Sequence, residues 1–199
     1  MTLILADQDH PERALLERTV RTVFLAEYGA HVPAFPKLMV ASRDKSGEIG
    51  AVAGLRFAED GLFSETYLDA PAEALLSQAS GRPVNRLQIV EFSSLAAPRP
   101  GAALPLVGAA IRLCLAAGAS HGLFTATNRL RALLRRTGLV CVDLGPARPE
   151  RLTDAAAWGT YYLHDPRVLV VSAASLGSLR GIDVTGVLPP SVLAERLHA

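Results

Sequence analysis

With 199 residues, half of them hydrophobic and a fifth charged, the chain holds enough apolar material for one compact core and too much to be disordered. A net charge of +1 supplies no global attraction to nucleic acid, so no nucleic-acid partner is expected. The two cysteines, Cys114 and Cys141, lie in apolar surroundings without C-x-x-C spacing and read as a buried reduced pair, which predicts a reducing cytoplasm.

The first segment, Met1 to Ala6, is apolar but has no basic flank and meets Asp7 and Asp9 too soon for a signal peptide; it reads as a strand. Pro11 to Tyr28 places Leu15, Leu16, Val20, Val23, Phe24 and Tyr28 near one face and Arg13, Glu17, Arg18 and Arg21 elsewhere, the pattern of an amphipathic helix entered on a proline. Lys37–Arg43 and Glu48–Phe57 read as a hairpin turning at Asp44-Lys45-Ser46-Gly47, with Gly50 and Gly54 weakening the second strand or marking a bulge. Pro71–Ser80 is a short helix and Arg86–Leu95 a central strand. Leu104–Ala119 is an apolar helix; it holds Arg112 and is shorter than the roughly 20 residues a bilayer span needs, so no transmembrane segment is predicted. His121–Ala126 is a strand, and Asn128–Thr137 a basic helix capped by Thr127 and stopped by Gly138. Leu139–Leu144 and Arg167–Ser172 complete the strands.

This order predicts a single mixed α/β domain over 1–181, with 182–199 as a surface appendage. A helix crossing from the Glu91 strand to the Thr125 strand makes those two parallel neighbours. Glu91 is the first candidate for chemistry, because a carboxylate inside an apolar strand must find partners or raise its pKa. Ser93 shares its face of the strand, whereas Arg86 offers the alternative of a purely structural ion pair. Glu65, Tyr67 and Asp69 alternate with Thr66 and Leu68, so an extended segment would present all three as one polar stripe, either an acceptor site or a solvated edge. Trp158, Tyr161 and Tyr162 form either a pocket wall or core. The five histidines have no metal-ligand spacing, and there is no H-E-x-x-H, G-x-S-x-G, P-loop or dinucleotide fingerprint. No metal and no permanently bound cofactor are expected.

The element order resembles that of GNAT-type acyltransferases, as does Asn128 to Leu139, a helix followed by Gly and a strand. The resemblance implies an α+β fold, a mostly antiparallel sheet flanked by helices on both faces, whose parallel central pair splays to admit the pantetheine arm of acyl-CoA or an acyl-carrier protein as co-substrate. In the donor-binding loop Gly101 and Ala103 fit the family pattern, while its basic slot is Pro98, with Arg99 one place late. Arg99, Gly101, Ala103, Thr125, Thr127 and Arg129 are the donor-binding candidates on this reading. Glu91-Phe92-Ser93-Ser94-Leu95 also resembles the Glu-x-Ser-Arg-Phe strand of acyl-homoserine lactone synthases, with Ser94 in place of the arginine.

A nearly full-length resemblance is to the thermostable haemolysin family of proteobacteria. It is carried by Glu27-Tyr28-Gly29-Ala30 with Phe35-Pro36, Leu62 to Asp69, Ile89-Val90-Glu91, Leu123 to Thr127, and Trp158-Gly159-Thr160-Tyr161-Tyr162. The name implies lysis, but acyl transfer from a thioester to an amine or similar small nucleophile suits these residues better. Glu91, Ser93 and Glu65 are then the catalytic candidates, and Tyr67, Asp69, Arg86, Trp158 and Tyr161 the acceptor-binding ones. A membrane-active toxin and a non-catalytic GNAT-like binding module are the alternatives. A carrier protein and a second copy of the chain are the possible protein partners.

Overall fold

The computed structural model describes residues 1–173 and 175. The appendage expected at 182–199 lies outside the described residues. Seven strands form one sheet: β1 (Thr2–Ala6), β2 (Leu38–Arg43), β3 (Ile49–Phe57), β4 (Ile89–Ala96), β5 (His121–Ala126), β6 (Val142–Pro146) and β7 (Arg167–Ser172). Their spatial order is β1-β2-β3-β4-β5-β7-β6, antiparallel except for the β4–β5 pair. The predicted mixed sheet and its parallel central pair are both present.

Helices cover both faces because the strands are apolar on both. On one face α3 (Ala103–Ala116) sets Leu106, Ala110, Leu113 and Cys114 against Leu38, Val40, Ala53, Leu55 and Val90. Beside it α4 (Asn128–Arg136) buries Leu134 against Ile111 and Val171, with Thr127 capping its first turn. On the opposite face α1 (Arg13–Tyr28) buries Leu16, Val20 and Phe24 against Met39, Ala41 and Val52. Each such side chain contributes about 1.5–3 kcal/mol of apolar burial. Next to α1, α2 (Ala72–Ser80) and a 3₁₀ turn at Phe63–Tyr67 close over Ile89, Leu123 and Val170.

Three expectations are corrected. The last-but-one strand begins at Val142 rather than Leu139, because Leu139 turns into the core and pairing with Val170 starts at Val142. Arg86–Gln88 is a 3₁₀ turn, held by the Asn85 side chain accepting from the Leu87 N–H, and the strand proper starts at Ile89. Arg13 is not on the solvent face: it is buried, donating to the Pro36 and Lys37 carbonyls at 2.5 and 2.8 Å, and so ties α1 to the chain entering β2. Both cysteines are free thiols; burial pushes Cys114 up to about 12, whereas Cys141 is only partly buried.

Candidate active site

β4 and β5 pair from Ile89/His121 to Phe92/Phe124 and no further. Beyond Phe92, Ser93 opposes Gly54 and Ala96 opposes Val52, so Ser94 and Leu95 together face the single residue Ala53. This is a bulge, with Ser94 at a φ of 51°, and a bulge bends its strand. The strand pair therefore opens just past Glu91. A cavity of about 400 Å³ occupies the opening, with Arg56, Glu91, Ser93 and Thr125 on the sheet side and Tyr28 and Trp158 opposite.

Glu91 is 1% exposed. Its face of β4 is that of Ile89, which lies in the core beneath α2, so no bulk water reaches the carboxylate from below. The 3₁₀ turn at Phe63–Tyr67 supplies its partners: Phe63 N–H donates to Oε2 at 2.5 Å, and Ser64 donates to Oε1 from its N–H at 2.9 Å and from its hydroxyl at 2.5 Å. Burial raises the Glu91 pKa above the usual carboxylate range; the Ser64 and Phe63 donors and the charge of Arg56 act in the opposite direction. Ser64 Oγ also lies 2.9 Å from Thr125 Oγ. With its own proton given to Glu91, Ser64 must accept here, so Thr125 donates and a hydrogen-bonded line runs from β5 to β4 across the opening.

Arg56 stands opposite Glu91 in the β3–β4 register. Its guanidinium lies 5.9 Å from the centre of the Phe63 ring, and its Nε is buried with no hydrogen-bond partner among the described residues. Ser93 Oγ, one face-step along β4, is likewise buried and unpartnered. Gly54 is the residue that makes room here, since a Cβ would fall 2.8 Å from Ser93 Oγ and 2.6 Å from Pro36 Cγ. Glu91, a cation and a hydroxyl with spare hydrogen-bonding capacity thus share one cleft, a set able to take up a proton and to hold an anionic or carbonyl oxygen.

The family model described as thermostable hemolysin matches residues 6–176. The chain belongs to the thermostable haemolysin family. Among solved structures it is similar to the acyl-homoserine lactone synthase LasI (TM-score 0.62, 14% identity, covering 94% of this chain and 98% of that one). It is also similar to FeeM, an N-acyl amino acid synthase from uncultured soil microbes (TM-score 0.58, 13% identity, covering 88% of this chain and 98% of that one). A third is BjaI, a CoA-dependent acyl-homoserine lactone synthase seen with SAM and isopentyl-CoA (TM-score 0.55, 15% identity, covering 98% of this chain and 88% of that one). The shared property at these identities is the fold. No curated protein matches the chain.

In this haemolysin-family fold Glu91, Ser93 and Thr125 converge on the cavity, as do Gly101 and Ala103 at the start of α3. Trp158 and Tyr161 line it too, in ring contact with Phe24 at 6.4 Å each. Their segment is docked to the end of α1: Thr160 donates from N–H and hydroxyl to the Tyr28 carbonyl at 2.8 and 3.1 Å. Gly159 permits the approach, because a Cβ there would lie 2.2 Å from that carbonyl oxygen. Tyr67 reaches the cavity edge with its hydroxyl 2.6 Å from that of Tyr162. Thr127 is occupied as the cap of α4, and Arg129, at the cavity mouth, pairs with Glu27 at 3.3 Å.

The polar stripe of Glu65, Tyr67 and Asp69 is not formed. Because Phe63–Tyr67 is a 3₁₀ turn, alternate residues do not share a face, and Glu65 and Asp69 diverge from Tyr67. Glu65 pairs with Arg86 at 2.6 Å and accepts from the Ala72 N–H at 2.7 Å, holding the turn to the start of α2. Burial alone would raise the Glu65 pKa, but these donors outweigh it and hold the carboxyl below its usual value. Arg86 also pairs with Glu73, so it is committed to this tie rather than to Glu91. Asp69 is exposed and paired with Arg151. Arg99 touches the cavity, but its charge is matched by Asp44 at 2.7 Å and by Glu48 in the β2–β3 turn. Sequence reasoning missed Ser64 and Arg56. Ser64 sat inside the segment that carried the family resemblance, and Arg56 offered the same signal as Glu91, a charge within an apolar strand.

Proposed function

We propose that this protein is an acyltransferase that moves an acyl group from a thioester, of coenzyme A or of carrier-bound pantetheine, to an amine or similar small nucleophile. The observation that carries the reading is Glu91, a carboxylate with a raised pKa beside the point where two parallel strands part. Support comes from the fold shared with BjaI, a CoA-dependent acyl-homoserine lactone synthase, and FeeM, an N-acyl amino acid synthase.

On this account the pantetheine arm enters between Ser93–Leu95 of β4 and Thr125 of β5. The bulge at Ser94 and Leu95 has backbone N–H groups turned out of the ladder to meet its amides or the thioester carbonyl. The uncapped start of α3, at Gly101 and Ala103, favours the donor's phosphates, and Arg129 stands at the mouth. The acceptor nitrogen attacks the carbonyl carbon, the C–N bond forms and the C–S bond breaks. Glu91 takes the proton lost by nitrogen, and the departing sulfur finally receives a proton to leave as a thiol. Ser93 Oγ, free of other partners, donates to the carbonyl oxygen as it becomes negative. Trp158 and Tyr161 wall the acceptor side.

The test is incubation of purified protein with panels of acyl thioesters and amines, reading N-acyl products by mass spectrometry. A product that depends on enzyme and thioester is expected. Thioester binding without product would instead make the protein a binding module. Lysis has the family name behind it; among the described residues no helix is long and apolar enough to cross a membrane.

A further inference from the structure

We infer that the acceptor carries a carboxylate as well as an amine, and that Arg56 holds it; this rests on the acyl-transfer reading of the same cleft. Arg56 is partly buried, and its Nε, which is wholly withdrawn from water, is held at a cost unless an acceptor meets it. Arg56 has Nε buried without a partner and, among the described residues, no ion pair. Its cross-strand neighbour Glu91 is near enough for the two charges to act on each other, but its carboxylate oxygens accept from Phe63 and Ser64 and are not within ion-pair distance of Arg56.

The other arginines at the cavity are spoken for. Arg99 is matched by Asp44 and Glu48, and Arg129 by Glu27. Arg56 is thus the lining cation left with capacity, and it sits on the floor beside the base rather than at the mouth. The anion it accepts must therefore tolerate Glu91 nearby. A donor phosphate would bring two negative charges against that carboxylate. An amino acid brings one, together with an ammonium that Glu91 attracts, so the two charges of the zwitterion match the two of the floor. Ser93 Oγ, unpartnered and on the same face, can accept from the ligand's ammonium while its own proton goes to the thioester carbonyl.

The experiment compares N-octanoyl derivatives of glycine, leucine, phenylalanine and tyrosine with the matching amides, which differ only in the carboxylate. Calorimetric titrations use wild type, Arg56→Met and Arg56→Lys, each checked for folding by circular dichroism. Wild type is expected to bind at least one carboxylate at least about tenfold more tightly than its amide, Arg56→Met to lose that ratio, and Arg56→Lys to keep part of it. Equal binding of acid and amide by wild type, a ratio undiminished in Arg56→Met, or no binding of any probe overturns the inference. Thiol release from acyl thioesters, measured alongside, separates the two readings. Turnover without a carboxylate preference removes only the role of Arg56, and a preference without turnover removes only acyl transfer.

Discussion

Ser64 donates twice to one oxygen of Glu91, from its backbone N–H at 2.9 Å and its hydroxyl at 2.5 Å, although the two residues are 27 positions apart. The 3₁₀ turn is thereby latched onto the floor of the cleft, and the carboxylate's orientation is set by the turn. Removing the hydroxyl tests the latch. Ser64→Ala is expected to cost about 1.5–3 kcal/mol of stability, the range for a hydrogen bond to a charged group. Because that bond favours the ionised carboxylate, its loss raises the Glu91 pKa further and moves the acid limb of the pH–rate profile upward. Denaturant melts and a pH–rate series measure both; an unmoved acid limb would detach Ser64 from the base.

Burial puts Glu91 in conflict with itself. Its folded pKa is above its unfolded value, so the native state binds this proton more tightly. The resulting stabilisation is complete below the ordinary carboxylate value of about 4.3 and is lost as pH rises through the raised folded value. Thermal melts at pH values rising from about 4.3 are therefore expected to show wild type losing stability relative to Glu91→Gln, which cannot titrate. Parallel curves for the two proteins would mean that Glu91 ionises normally. Catalysis runs the other way, because the base must be ionised, and activity should rise over the window in which this stability falls.

Gly159 joins the aromatic wall to α1. It adopts φ 54°, ψ −123°, and a Cβ would strike the Tyr28 carbonyl oxygen. Gly159→Ala is expected to destabilise by about 2–5 kcal/mol, combining backbone strain with the forced displacement of Thr160 from that carbonyl. Urea unfolding measures it, and a change under about 0.5 kcal/mol would show that the segment is not docked in this way.

Much of this architecture is legible in the residues. The apolar spacing of α1 marks it as a helix, the turn at Asp44–Gly47 marks the β2–β3 hairpin, and the helix between Glu91 and Thr125 makes β4 and β5 a parallel pair. Glu91 is conspicuous because a charge inside an apolar strand has no local explanation. What escapes reading is whatever depends on distant pairing. The stripe Glu65, Tyr67 and Asp69 assumed extended backbone, and tertiary packing of Tyr67 against Tyr162 favours a 3₁₀ turn instead. Arg99 is matched by a turn 55 residues away, which no spacing rule reports. Arg56 becomes a site residue only when register sets it opposite Glu91, and Arg13 is buried because its partners are carbonyls of the chain entering β2.

On the proposed mechanism Glu91 serves a thioester-consuming reaction in the cleft between β4 and β5. Free-thiol release from an acyl thioester in the presence of an amine acceptor, compared for wild type and Glu91→Gln, tests it most directly. Wild type is expected to turn over and the variant to lose about 10²–10⁴-fold in kcat, the range for a missing general base, with thioester affinity retained. A Glu91→Gln protein that turns over at the wild-type rate would contradict it.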